Sequence, residues 1–333
     1  MKRSFVLILA LLIIIALPSC AEGKADVYSA YCMAMDTSCE VRVYSSEHAS
    51  AADGCKELLW EIEKELSVTL KDSKTYTLNE KGSVSSGVHI NKVASAATHI
   101  KGLTGGAYDP CIYPLVALWG FTTDSFRVPS EEEIAEAVGT VSSSVLGCTE
   151  ESVSLSCGKA DFGGIAKGYA ADAVAEALLE RGVESAFINL GGNVRTVGVK
   201  PDGSLWNIGI NDPKGGIAGV LSVAECAVVT SGSYIRNFSE NGRTYHHIID
   251  PKTGFPADNG LVSVTVVCDS ATLADGLSTA FFVMGLESAS AIADSLGVET
   301  VFITDDSIYV SAGLKEKFTP DASAEGGYSI VYN

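Results

Sequence analysis

One segment constrains this chain more than any other: Asp161-Phe162-Gly163-Gly164-Ile165-Ala166-Lys167-Gly168-Tyr169-Ala170-Ala171-Asp172. Small residues surround a single lysine, an acid stands at each end, and an apolar helical pattern follows. A glycine-rich turn lets backbone approach a ligand closely, and a helix start offers unpaired N–H groups to an anion. The pattern is not the Walker sequence, which needs Lys-Ser or Lys-Thr after the glycines. It is not Gly-x-Gly-x-x-Gly either. Taken alone, it is equally a tight connection into a helix.

The compartment is written in the first residues. Lys2 and Arg3 precede an uncharged apolar run, residues 5–17, which closes on Leu17-Pro18-Ser19-Cys20. The run is short for a span of ~20 residues and has the layout of a secretory signal. A small residue before Cys20 resembles a bacterial lipobox, so residues 1–20 are expected to be a lipoprotein signal with the lipid on Cys20. An ordinary cleaved signal or an uncleaved anchor stays open as the alternative. Residues 21–30 read as a tether and 31–330 as the folded body, exported and held at a bacterial membrane. That body has room for one large domain or two intimately packed lobes. The formal charge of -18 and the lack of a basic patch exclude a nucleic-acid reader. An acidic protein that takes a polyphosphate is expected to need a divalent cation. The eight cysteines after Cys20 form no Cys-x-x-Cys pair, which argues against zinc and against a thioredoxin-like site.

Apolar spacing predicts helices over 49–66, 93–103, 166–181, 272–284 and 288–296, and a Ser130/Glu133 capping box starts another through Val138. Strands are expected over 186–190, 194–199, 206–210, 220–229, 244–249 and 261–267, with a closing hairpin of 300–304 and 307–311. The stretch 67–88 reads as loop. Helices and strands alternate irregularly, which indicates an α+β fold.

Further clusters carry candidate chemistry. Asn189 to Asn193 and Thr230-Ser231-Gly232 each follow a strand. His246 and His247 are neighbours on an apparent strand and point to opposite faces; one is a candidate general base. Asp250 to Gly254 is a turn by composition. Asp275 and Thr279 share one helix face and offer two hard oxygen ligands to Mg2+.

Set in order, these pieces resemble the ApbE family, the FAD:protein FMN transferases. The matching segments are Met35-Asp36-Thr37, Leu66 to Asn79, Gly106 to Pro110, Asp161 to Asp172, Asn189 to Asn193, Thr230 to Gly232, His247 to Pro256, and Ala274 to Ala280. The resemblance implies two packed α+β lobes with a flavin site between them. It implies FAD contacts at Met35, Thr69, Ala107, Tyr108, Asp109, Asp161, Lys167 and the backbone of Ile249. It places Mg2+ on the carbonyl of Gly164 with Asp275 and Thr279, and Ser278 beside them. His247 is then the candidate base and Asp250 the residue that orients the site. The implied reaction moves FMN from FAD to a threonine or serine hydroxyl of an exported or membrane redox protein and releases AMP. Two other outcomes stay open: hydrolysis of FAD to FMN and AMP, and FAD binding without turnover.

Three positions depart from the family pattern. Gly164 is commonly alanine, which a carbonyl ligand tolerates. Asp36 replaces glycine, which puts the backbone there in question. Thr69 stands where many relatives carry a tyrosine against the flavin, so stacking area is lost and water gains room near the pyrophosphate.

Overall fold

The computed structural model describes residues 26–325 and 327–333. Cys20, the apolar run and the first half of the tether lie outside the described residues. β1 (Tyr28–Ala34) and β2 (Thr37–Val43) form an antiparallel hairpin, so ordered strand begins inside the stretch read as tether. α1 (Ala49–Leu66) has the expected limits and buries Cys55, Leu59, Ile62 and Leu66 along one face.

The polar stretch 67–88 is not all loop, because it holds α2 (Lys74–Lys81) and β3 (Ser83–Ser85). Ser73 accepts the Tyr76 N–H at 2.9 Å, and Gly82 closes the helix in a left-handed conformation. These two caps outweigh a thin apolar pattern. α3 (Val88–Leu103) starts at Val88 rather than residue 93. Its first N–H groups, on His89 and Ile90, donate to Glu65 at 3.0 and 2.9 Å, a cap supplied by another helix. α4 (Tyr113–Leu118) is followed by α5 (Glu131–Ser143), which carries the expected reciprocal Ser130–Glu133 box and runs past Val138. β4 (Leu146–Cys148) and β5 (Ser152–Leu155) join β3 in a small sheet.

The second half supplies most of the main sheet. Its elements are α6 (Ala166–Leu179), β6 (Ala186–Leu190), β7 (Asn193–Val197), β8 (Trp206–Asn211), β9 (Ile217–Val223), β10 (Ala227–Gly232), β11 (Asn237–Glu240), β12 (Arg243–His246) and β13 (Leu261–Cys268). Then come α7 (Ala271–Met284), α8 (Leu286–Leu296), β14 (Glu299–Thr304), β15 (Ser307–Val310), β16 (Phe318–Pro320), α9 (Ala322–Glu325) and β17 (Ser329–Tyr332). Two expected strands are cut short. The stretch 220–229 breaks after Val223, where the chain leaves one sheet for another, and Thr196 Oγ1 fixes the crossing through Ala224 O at 2.8 Å and Cys226 N at 3.0 Å. The stretch 244–249 ends as ladder at His246. Beyond it the His247 N–H donates to Arg236 O and Ile249 bridges to Pro256.

Nine strands form one sheet in the order β1-β2-β6-β7-β10-β13-β14-β15-β17. Alternation sends Ala227 and Val229 of β10 into the main core under α1, α6 and α7, and Val228 to the opposite face. That second face packs on the sheet β16-β9-β8 through Trp206, Ile208 and Leu221. A third, smaller core gathers Leu115, Trp119, Phe121, Ile134, Val141 and Ile249 beside α4 and α5. Among the described residues no disulfide forms; Cys39, Cys55, Cys111 and Cys226 are buried apolar groups. No described helix is long and apolar enough to cross a membrane.

The two helices that carry the expected site residues meet at Gly168. A Cβ there would collide with Ala271 O and lie 2.6 Å from the Asp275 Cβ. The bare Cα lets α6 and α7 approach until the Gly168 N–H donates to Asp275 Oδ2 at 2.8 Å. One turn on, Asp172 caps the start of α7. It accepts from Ala271 N, Thr272 N, Ser270 Oγ and Thr272 Oγ1 at 2.7–2.9 Å, a carboxylate placed where the helix dipole favours it. The Gly168→Ala variant is therefore expected to lose about 3 kcal/mol of stability by overpacking, read as a lowered urea midpoint at unchanged slope.

Candidate functional site

The expected site residues converge on a cleft of about 430 Å3. It runs where the main core, through Leu66, Tyr108 and Ala166, faces the smaller core, through Val116, Phe121 and Ile249. This boundary matches the expected site between two packed units. The cleft is walled by the β1–β2 turn, the end of α1, the 107–109 turn, the 161–167 loop, the end of β10 and the 247–251 segment.

The turn at Met35-Asp36 is unusual. Ala34 pairs with Thr37, so these two residues make a two-residue hairpin loop, and both have positive φ, 53° and 57°. That is the geometry of a type I′ turn, which matches the twist of the flanking strands. Aspartate visits this region more readily than most residues, and Asp36 adopts it here. Met35 has no such excuse and is held there by its N–H, which donates to Glu63 Oε1 of α1 at 2.9 Å.

The 161–167 loop is fixed from three sides. Asn79 and Ala160 exchange two hydrogen bonds at 2.7 and 2.8 Å. The Asp161 N–H donates to Pro110 O at 2.8 Å, and Asp161 Oδ1 accepts from Gly163 N at 2.7 Å. Burial pushes the Asp161 carboxyl up from its ordinary range, while that hydrogen bond, Arg236 and Lys167 pull it back. Gly163, Gly164, Ala166 and Lys167 line the cleft at the start of α6, and a helix start is a setting that suits an anion. Asp109 also lines the cleft, but its carboxylate is bound to Lys101 at 2.7 Å and to Cys111 N at 2.9 Å.

On α7, Asp275 is 3% exposed and only its Oδ2 has a protein partner among the described residues. Thr279 Oγ1 lies 3.4 Å from the place a Cβ on Gly164 would take. Gly164, Asp275 and Thr279 are thus brought together. Ser278 is not a wall of the cleft. It is fully buried behind it and bonds Ser231 Oγ at 2.8 Å and Asp275 O at 2.9 Å, which corrects the expectation of a side-chain ligand there. Thr69 lines the cleft with its hydroxyl 3.1 Å from Ser67 Oγ.

The two histidines part as expected. His246 is buried, donates from Nε2 to Ala257 O at 3.0 Å and packs edge-on against Phe282. His247 lines the cleft, and its Nδ1 lies 3.1 Å from Arg236 O. A carbonyl only accepts, so Nδ1 carries the proton and Nε2 keeps its lone pair. Burial pushes the His247 imidazole down to about 4, against the opposing pull of the Arg236 carbonyl, with Lys167 helping. The Asp250 carboxylate does not enter the cleft. It accepts from Lys252 N at 2.8 Å and shapes the turn that presents Pro251.

The sequence profile of the ApbE family matches residues 35–302. This chain belongs to the ApbE family. It is 34% identical to the FAD:protein FMN transferase of Treponema pallidum, over 89% of this chain and 90% of that one. It is also 34% identical to the FAD:protein FMN transferase of Vibrio cholerae, over 78% of this chain and 81% of the relative. The crystal structure of the ApbE protein of Thermotoga maritima superposes with a TM-score of 0.78 at 32% identity, covering 91% of this chain and all of that one. The flavin transferase ApbE of Vibrio cholerae gives 0.74 at 28% identity, covering 91% and 99%.

The donor set of this ApbE chain fits Mg2+. Among the described residues no three His, Cys, Asp or Glu side chains gather as a metal cage. One carboxylate, one hydroxyl and one carbonyl suit a cation that completes its shell with water and phosphate oxygens. Two buried polar groups in the cleft wall, Tyr108 Oη and Asn193 Nδ2, have no hydrogen-bond partner among the described residues. Burial, with Asp161 and Asp275 nearby, raises the Tyr108 hydroxyl well above its usual range, so it stays protonated. Sequence reasoning missed Glu63, Asn193 as an unpaired donor, and Arg236. Glu63 and Arg236 take their meaning from partners far away in sequence, Met35 and Asp124.

Two outcomes are expected in the ligand-free protein. Tyr108→Phe removes an unsatisfied buried hydroxyl and raises stability by about 1 kcal/mol, seen as a higher melting temperature. The neutral His247 contributes stability that is present above its ordinary value of 6.5 and lost as pH falls toward 4. Denaturant midpoints measured between pH 7.5 and 4.5 will therefore fall less in His247→Asn than in the parent.

Proposed function

We propose that this protein is a Mg2+-dependent FAD:protein FMN transferase, exported and anchored by lipid on Cys20, whose acceptor is a redox protein at the membrane. The observation that carries the reading is the meeting of Gly164, Asp275 and Thr279 with the start of α6 inside one cleft. In this reading the cleft is a phosphate site with a place for a cation, and the chain's relatives are named for flavin transfer to protein.

In this reading the apolar walls, Met35 and the 107–109 turn take the flavin, and the α6 N-terminus with Lys167 takes the pyrophosphate. Mg2+, when bound, neutralises phosphate charge and stabilises the departing AMP. His247 Nε2, unprotonated at neutral pH, takes the proton of the acceptor hydroxyl as its oxygen bonds to the FMN phosphorus. The bond from that phosphorus to the AMP oxygen breaks, and AMP leaves with the electron pair. Asp250 supports this at a distance, through the turn that follows His247. Thr69 favours a second outcome at the same site. Its short side chain leaves space for water, which then attacks in place of the acceptor and gives free FMN.

The test mixes the full chain with FAD, Mg2+ and a threonine-bearing flavoprotein acceptor, and follows AMP and protein-bound flavin fluorescence. Flavin fixed to the acceptor with equimolar AMP is the expected result. AMP with only free FMN marks a pyrophosphatase, and bound FAD without AMP marks a binding protein. Asp275→Asn keeps an acceptor for Gly168 N but removes the charge. It is expected to fold normally and to lose at least about 100-fold in turnover.

A further inference from the structure

We propose that Arg236 reads the phosphate chain of the substrate, gripping the pyrophosphate and so separating FAD from flavins that lack phosphate. This rests on the proposed transferase reading and names a specificity residue within it.

The first observation is charge. Among the described residues the cleft wall carries five carboxylates, on Asp36, Glu63, Asp109, Asp161 and Asp275, against two cations, Lys167 and Arg236. Lys101 neutralises Asp109, but the wall stays acidic. A pyrophosphate entering it depends on every cation present. Both Lys167 and Arg236 sit close enough to Asp161 to favour its charged form, so they act on the same end of the cleft.

The second observation is how Arg236 is held. Its carbonyl accepts from the His247 N–H and faces Nδ1, each at 3.1 Å. The backbone that sets the candidate base therefore also sets the root of this side chain. The guanidinium has five donors and, among the described residues, uses one, Nη2 to Asp124 Oδ1 at 2.7 Å. That pair is open to solvent, with side chains 45% and 71% exposed, and exposed pairs are weak. A phosphate can displace Asp124 and take two parallel N–H bonds from the planar fork.

The experiment titrates FAD and riboflavin, each with Mg2+, into the full-length protein and its Arg236→Gln, Arg236→Lys and Asp124→Asn variants, following flavin fluorescence. Arg236→Gln is expected to weaken FAD binding about 10- to 100-fold and riboflavin binding less than about twofold. Arg236→Lys falls between, because it keeps the charge and loses the fork. Asp124→Asn binds FAD at least as tightly as the parent, since it frees the guanidinium. Equal losses in Arg236→Gln and Asp124→Asn would show that the pair is only a clasp between two loops and would overturn the proposal. Equal losses for FAD and riboflavin would overturn it as well. A parent protein that binds no FAD sinks the transferase reading itself. FAD bound equally by parent and Arg236→Gln sinks the Arg236 assignment alone.

Discussion

The close approach of α6 and α7 at Gly168 is the contact on which the rest of the site depends. α6 brings the glycine-rich loop, and α7 brings Asp275 and Thr279. The two helices meet because one Cα lacks a side chain where the Ala271 carbonyl and the Asp275 Cβ press in. The Gly168 N–H then anchors one oxygen of Asp275, so a carboxylate that is almost wholly buried keeps a partner on one side and faces the cleft on the other. A buried charge without that donor would be costly. The two acids that bracket the glycine-rich segment divide the work: Asp161 faces the cleft, while Asp172 fastens α7 by its first turn.

The cleft wall also carries local costs of folding. Met35 is held left-handed by Glu63, and Tyr108 and Asn193 bury polar groups with no partner among the described residues. Each is unfavourable in a protein selected for stability alone. Their concentration in one wall is the physical signature of a surface shaped for something polar.

How much of this was legible in the sequence follows from the range of each interaction. α1 and the capping box of α5 were readable because their signals are local: apolar spacing over 49–66, and a serine with glutamate three residues on. Asp275 and Thr279 were readable as a pair on one helix face, but Gly164 joined them only through the family pattern, since a spacing of four on a helix says nothing of a loop more than a hundred residues away. α2 was missed because its caps are clear but its apolar face is only Thr75 and Leu78. The early start of α3 was invisible because its cap, Glu65, belongs to α1. Asp250 and Ser278 lie beside the cleft rather than in its wall. Composition cannot distinguish a side chain that touches a cleft from one that shapes it.

The acidity of the protein has a kinetic side. A formal charge of -18 surrounds a cleft whose own wall is acidic, so a phosphate-bearing molecule approaches against a repulsive field and meets attraction only at the last few ångströms. Dissolved salt shortens the reach of the repulsion, to about 8 Å at physiological ionic strength, and acts less on partly buried groups such as Lys167. Encounter with such a molecule therefore quickens as ionic strength rises, the opposite of the usual steering of anions by a basic surface.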